Sequence, residues 1–203
     1  MTLKRLALTF DDGPSEWTPA ILDVLNEHGA RATFFVVGEA IEGREDILRR
    51  AVAGGHEIGD HTWSHPSLVE VAPDGIRAEL EQTSVAIERA VGSRPHVFRP
   101  PYFQHDDEVD RIVAEAGYGD PVLCTVDPSD WKATSEGPIV AAVLARAHAD
   151  AIVDFHDGRP LRDSSSTPSR QPTVDAVRQI VPRLVEQGYA LVTVSELLGA
   201  RSG

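Results

Sequence analysis

The sequence predicts a single-domain α/β protein whose parallel sheet closes into a (β/α)7-8 barrel. Short apolar runs alternate with amphipathic stretches seven times, the pattern of parallel strands joined by crossover helices. A chain of 203 residues is long enough for one sizeable core, so residues 1–203 read as one domain. The reactive side chains then choose between a closed and an open sheet. Asp11 with Asp12, His61 with His65, Arg99, Asp127 with Asp130, and His156 follow different strand patterns. A barrel gathers such C-terminal ends on one face around one axis, whereas an open sheet spreads them along a line.

Leu6, Leu8 and Phe10 alternate with Ala7 and Thr9, as in a parallel strand covered on both faces, and the run ends abruptly in Asp11-Asp12-Gly13-Pro14. Thr18 and Pro19 read as N-cap and first residue of a helix that carries Ile21, Leu22 and Leu25 and stops at Gly29. Ala32–Val37 is the second strand, Glu45–Val52 a helix closed by Gly54-Gly55, and His56–Asp60 a weaker third strand. Ile76, Leu80, Ile87 and Val91 keep helical spacing up to Gly92. His96-Val-Phe98, bounded by prolines, is a short fourth strand.

The second half repeats the alternation: a helix from about Asp106 to Ala116, a strand Pro121–Thr125, a helix Pro138–His148 and a strand Ala151–Phe155. The polar stretch from Gly158 to Gln171, with Ser164-Ser-Ser166, is expected to be a mobile loop. Pro172 opens a helix bearing Val174, Val177, Val181 and Leu184, with Pro182 expected to kink it. Tyr189–Val194 is the last strand, and Ser195 is expected to cap a terminal helical turn.

With 41% hydrophobic and 25% charged residues the composition is that of an ordinary globular protein. A net charge of −13 argues against nucleic acid and anionic membranes as partners, since either favours a basic stripe. No apolar run approaches the length that spans a bilayer. Cys124 sits in an apolar run and reads as a small core residue. Met1–Arg5 leads straight into the first strand without a secretory pattern, so the expectation is a cytoplasmic protein, or a secreted one if the sequence is a trimmed form.

Two adjacent acids at a strand end repel each other and lose hydration, so Asp11-Asp12 makes sense beside a shared cation or proton, or else as a turn Asp followed by a helix cap. His61-Thr-Trp-Ser-His65 spaces two imidazoles one turn apart, which on a helical turn puts both on one face. With one carboxylate they make the two-histidine set of catalytic zinc sites, leaving positions for water and substrate. His56, His96 and His105 have no motif around them, and His28 and His148 fall near helix C-termini.

Five ordered motifs, Thr9-Phe-Asp-Asp-Gly13, His61-Thr-Trp-Ser-His65, Arg99-Pro-Pro-Tyr102, Asp127-Pro-Ser-Asp-Trp131 and Val153-Asp-Phe-His156, resemble those of the polysaccharide deacetylase family, also called the NodB-homology domain or carbohydrate esterase family four. The resemblance implies a distorted, TIM-barrel-like fold of about seven strands. It implies that Asp11 is the general base and that Asp12, His61 and His65 hold a divalent metal, Zn2+ or alternatively Co2+. Arg99 would then keep Asp11 ionised and aimed, Asp130 would orient His156, and His156 would protonate the departing sugar atom. The Tyr102 backbone N–H would meet the oxyanion, and Tyr102 and Trp131 would line the acetyl and sugar pocket.

The activity so implied is hydrolytic removal of N-acetyl groups from N-acetylglucosamine in chitooligosaccharide, chitin or peptidoglycan. The alternatives are an O-acetyl esterase acting on xylan, an amidohydrolase acting on a small non-sugar amide, and a noncatalytic glycan-binding domain. The expected partner is a carbohydrate, with the oligomeric state left open. Two positions depart from the family pattern: Phe103 stands where glycine is usual, and Asp154 where leucine is usual. Phe103 should bar a glycine-only backbone geometry and needs room for its ring. Asp154 should either turn away from the pocket for the acyl methyl or make that pocket suit a more polar acyl group.

Overall fold

The computed structural model describes residues 4–160 and 169–199. The run 161–168 of the expected mobile loop, with Ser164-Ser-Ser166, lies outside the described residues. Among the described residues five strands form one sheet: β1 (Lys4–Asp11), β2 (Thr33–Val36), β3 (Glu57–Asp60), β4 (Ala151–His156) and β5 (Tyr189–Val192). Every pairing is parallel. β1 is the central strand, paired with β4 from Leu6 to Asp11 on one side. On its other side β5 pairs with Lys4–Ala7 and β2 with Thr9–Asp11, and β3 lies beyond β2.

The expected fourth and fifth strands, His96–Phe98 and Pro121–Thr125, are not regular strands; each runs as irregular chain. Pro95, Pro100, Pro101, Pro121 and Pro128 remove N–H donors from these segments, which limits them to isolated contacts. Those contacts still complete the ring. Phe98 bridges to Asp60 of β3, Val126 bridges to Val153 of β4, and the Val122 N–H reaches the Phe98 carbonyl at 2.9 Å. The barrel therefore has five regular staves and two loose ones, which is its distortion.

Among the described residues seven α-helices surround or follow the sheet: α1 (Thr18–Glu27), α2 (Glu45–Ala53), α3 (Pro73–Val91), α4 (Asp107–Glu115), α5 (Glu136–Arg146), α6 (Gln171–Glu186) and α7 (Val194–Leu198). None is long and apolar enough to cross a membrane. Val174, Val177, Val181 and Leu184 of α6 are fully buried, as their spacing predicts, and the helix runs through Pro182 as one element. Burying each such side chain contributes about 1.5–3 kcal/mol. Two expected caps fall elsewhere. Thr18 is the first residue of α1, and its hydroxyl serves Ser15 N–H and Asp157 instead of the helix. At α7 the cap is Thr193, in a capping box with Glu196, while Ser195 bonds to Glu57.

Strand alternation separates two cores. Leu6, Leu8 and Phe10 of β1, with Val153 and Phe155 of β4, join the large cluster shared with the helices. Ala7 and Ile152 join a smaller cluster with Phe35, Val97, Val122 and Val192 inside the barrel. The inward column of β1 therefore reads Ala7, Thr9, Asp11, and that of β4 reads Ile152, Asp154, His156, in register pair by pair. Both columns climb from an apolar floor to a charged mouth.

Candidate active site at the barrel mouth

The turn after β1 is built from both ends of the chain. Asp11 ends the strand, and its carbonyl accepts the N–H groups of Asp157 at 3.1 Å and Gly158 at 3.2 Å. Asp12 then takes a left-handed φ of 72°, turning its side chain away from the column that Asp11 follows. Gly158 packs so closely on this turn that a Cβ there would run into the Asp12 carbonyl. Asp157 lies under Gly13, accepting from Thr18 Oγ1 at 2.5 Å, and burial pushes its carboxyl up to about 7.

His61 and His65 are brought to Asp12 by a loop, not by the helical turn expected of their spacing. Thr62 and His65 both have left-handed φ, and the loop is pinned by Thr62 N–H on Asp60 Oδ1 and His65 N–H on Thr62 Oγ1. The rings meet edge to face with centroids 4.9 Å apart. Asp12 Oδ1 lies 3.6 Å from His61 Nε2 and 3.3 Å from His65 Nε2, yet it is buried without a hydrogen-bond partner among the described residues.

His61 Nδ1 lies 2.8 Å from the Arg99 carbonyl, which can only accept, so Nδ1 carries the proton and Nε2 turns a lone pair toward Asp12. Burial, and then His65 beside it, lower the His61 pKa to about 3, so the ring is neutral, the state a metal ligand needs. A tetrahedral ion with bonds of about 2.0–2.1 Å holds its ligands roughly 3.3 Å apart, close to the spacing found. Asp12, His61 and His65 are thus a donor set that could hold a divalent cation.

Asp11 points into the barrel beside this set, with Oδ2 3.6 Å from His61 Nε2. Its other oxygen accepts from Arg99 Nη1 at 2.8 Å. The Arg99 guanidinium is wholly buried, with Phe35 against it at 4.3 Å and Phe103 at 5.4 Å from ring centroids, and its Nε donates to the Val122 carbonyl at 3.0 Å. Nη1 also serves Thr9 Oγ1 at 2.7 Å and Asp154 Oδ1 at 2.9 Å. One cation therefore faces two carboxylates. Burial, and then the nearby Asp11 charge, push the Asp154 carboxyl well above the usual range.

Across the mouth, His156 is held by Asp130. Oδ1 of Asp130 lies 2.8 Å from His156 Nδ1, while Oδ2 accepts the His156 backbone N–H at 2.8 Å and the Thr173 hydroxyl at 2.7 Å. Burial works against the imidazolium, but Asp130, Asp154 and Asp12 outweigh it and hold its pKa well above the usual value. Asp130 in turn is held below the usual carboxylate range: burial acts against its charge, and His156 overcomes that cost.

A family model described as polysaccharide deacetylase matches residues 1–120. The chain belongs to the polysaccharide deacetylase family. Among its relatives, the peptidoglycan-N-acetylglucosamine deacetylase PgdA of Listeria monocytogenes is 36% identical over 202 residues, which are 98% of this chain but only 40% of that protein. A chitooligosaccharide deacetylase of a Bradyrhizobium species is 38% identical over 199 residues, covering 96% of this chain and 90% of the relative. The structure of the peptidoglycan deacetylase PdaC from Bacillus subtilis superposes with a TM-score of 0.87 at 35% identity, covering 98% of this chain and 91% of that one.

All nine residues singled out from the family motifs lie at the barrel mouth. Asp11, Asp12, His61, His65, Tyr102, Trp131 and His156 line one cavity of about 270 Å³, and Arg99 and Asp130 stand behind Asp11 and His156. Tyr102 is half exposed, has a left-handed φ of 58°, and packs edge to face with His65, ring centroids 4.7 Å apart. Of the seven non-glycine residues with positive φ among the described residues, Asp12, Thr62, His65, Tyr102, Phe103 and Ser129 belong to the loops at the mouth. Such backbone is uncommon outside glycine and gathers where side chains must be aimed.

The two departures from the family pattern are both on the cavity wall. Phe103 takes a left-handed φ of 57°, a conformation a side chain can adopt, and its ring finds room over Arg99. Asp154 does not turn away; it faces the barrel interior and pairs with Arg99. Arg170 was missed by the sequence reading. It is buried, donates to the Gly158 carbonyl at 2.6 Å and to the Trp131 carbonyl at 3.1 Å, and lines the same cavity. An arginine at the edge of a polar loop gives no sign of that role in one sequence.

Proposed function

We propose that this chain is a metal-dependent hydrolase that removes N-acetyl groups from N-acetylglucosamine residues of a chitooligosaccharide, chitin or peptidoglycan glycan. The observation that carries the proposal is the convergence of a held base, a three-ligand donor set and a held acid on one cavity. Asp12, His61 and His65 would hold the ion, zinc or cobalt. Once bound, it would polarise the acyl carbonyl and acidify the attacking water.

The chain's own groups supply the proton transfers. Asp11, aimed by the 2.8 Å bond from Arg99, takes the proton from the attacking water. His156, protonated because Asp130 supports its imidazolium, gives a proton to the sugar nitrogen as the C–N bond breaks. The Tyr102 backbone N–H serves the developing oxyanion. Trp131 and the exposed Tyr102 ring offer the apolar faces on which sugar rings rest.

The names of the relatives support an amide of glucosamine, and the acidic surface suits a neutral glycan. The test is acid release from N-acetylglucosamine oligomers, acetylxylan and small non-sugar amides, with zinc or cobalt and with chelator. The sugar amide should be cleaved best and chelation should stop cleavage. Preferential cleavage of acetylxylan would move the assignment to an esterase. Glycan binding without release under any metal would make this a noncatalytic domain.

A further inference from the structure

Below His156 on the inward face of β4, the next side chain toward the barrel floor is Asp154, paired in register with Thr9 below Asp11. A glycan is too large to enter the barrel, so its sugar stays at the mouth. The substituent on the reacting carbonyl is the part that points inward. On that inward side the Asp154 carboxyl lines the cavity, within 4.8 Å of ligand atoms of Asp11 and His156, and the Phe103 ring lies over Arg99.

Asp154 Oδ1 accepts from Arg99 Nη1 at 2.9 Å, and the carboxyl lines the cavity. A methyl group placed against this carboxyl would displace water from it and offer no hydrogen bond in return. We infer that Asp154 fits the deep end of this cavity to an acyl group bearing a hydroxyl, so that the hydroxyacetyl (glycolyl) amide of an amino sugar is cleaved in preference to the acetyl amide. This rests on the deacylase reading given above.

A hydroxyl suits Asp154 in either protonation state, accepting from the carboxylic acid or donating to the carboxylate. An ammonium on the acyl chain would be set beside the Arg99 guanidinium, and a carboxylate would be repelled by Asp11 and Asp154. The hydroxyacetyl group adds one oxygen to acetyl, a small increment in a cavity of about 270 Å³. A site whose buried polar group pairs with the substrate discriminates strongly against an analogue lacking the hydroxyl.

The test compares glycolate and acetate release by the zinc-loaded chain from N-glycolyl- and N-acetylglucosamine oligomers of one length. We expect kcat/KM to favour the glycolyl substrate by at least about tenfold. Asp154→Leu should abolish or reverse that ratio, while Asp154→Asn, which keeps a polar amide, should retain it. Equal rates, or an acetyl preference in the unaltered chain, would overturn the inference and leave the deacylase reading intact.

If neither acid is released, the deacylase reading fails, and calorimetry with the two free acids decides the fit of the pocket. Tighter binding of glycolate than of acetate, lost in Asp154→Leu, supports the assignment; equal binding overturns it. Thermal melting of both variants separates a specificity change from loss of fold. The ratio in the unaltered chain is independent of either variant.

Discussion

Asp130 touches His156 twice, through the ring Nδ1 and the backbone N–H, so it fixes both the orientation and the charge of the proposed acid. Removing its charge while keeping its shape should uncouple the two. In Asp130→Asn the His156 imidazolium loses its nearest carboxylate, its pKa falls, and the alkaline limb of the kcat/KM profile should move down by about one pH unit or more. A pH–rate profile checks this; an unmoved limb would show that His156 is not the acid.

His56 gives a second prediction, in stability. It is buried, accepts the Ala32 N–H on Nδ1 at 3.2 Å, and sets its ring edge-on to Phe34. Burial, and then Arg31 and Arg50, lower its pKa from 6.5 to about 4. Between those values the unfolded chain holds the extra proton, so stability rises with pH through the window and is lost on acidification. From pH 6.5 to 5 this one group should cost about 2 kcal/mol. Denaturant unfolding should therefore show the stability gap between the unaltered chain and His56→Leu closing as pH falls, and a constant gap would contradict the assignment.

Residue-level legibility was uneven for a physical reason. Asp11, Asp12, His61 and His65 stand out because adjacent acids and paired imidazoles are hard to explain otherwise. Asp154 stood out only as a departure, since its partner Arg99 is 55 positions away and the bond between them exists only once β4 is in register with β1.

The elements that matter most are short and irregular. The turn joining Asp11 to Asp12 is locked by the segment after β4, where Gly158 leaves room for the Asp12 carbonyl and passes its own carbonyl to Arg170. Gly158→Ala should force the two segments apart, at a cost of about 1–3 kcal/mol, and should weaken metal binding because Asp12 moves. Thermal melting and a zinc titration check both parts; an unchanged melting temperature would mean that the turn yields freely.

The long periodic elements, such as α3 and α6, were legible because burial of one face fixes their spacing. The His61–His65 loop was not. Its spacing fits a helical turn, and only tertiary contacts to Asp60 and the Arg99 carbonyl impose the left-handed backbone found. The Thr193 cap was misplaced by two residues for a similar reason, because Ser195 is as good a cap by composition but is occupied by Glu57.

At the scale of the molecule, closure of the barrel is what turns scattered residues into a site. The placement of reactive residues after successive strand patterns made the closure legible. The loss of two regular strands to proline was visible only as short, proline-bounded runs. Single bridges at Phe98 and Val126 suffice to bring Arg99 under Asp11 and Asp130 behind His156. The proposed function makes this mouth a hydrolytic centre in which Asp11 removes a proton and Asp12, His61 and His65 hold the ion. Acetate release from an N-acetylglucosamine oligomer by the zinc-loaded chain and by zinc-loaded Asp11→Asn tests it most directly. Release by the first is expected, with a fall of roughly 10²–10⁴-fold in the second while zinc stays bound; comparable release by both would rule out Asp11 as the base.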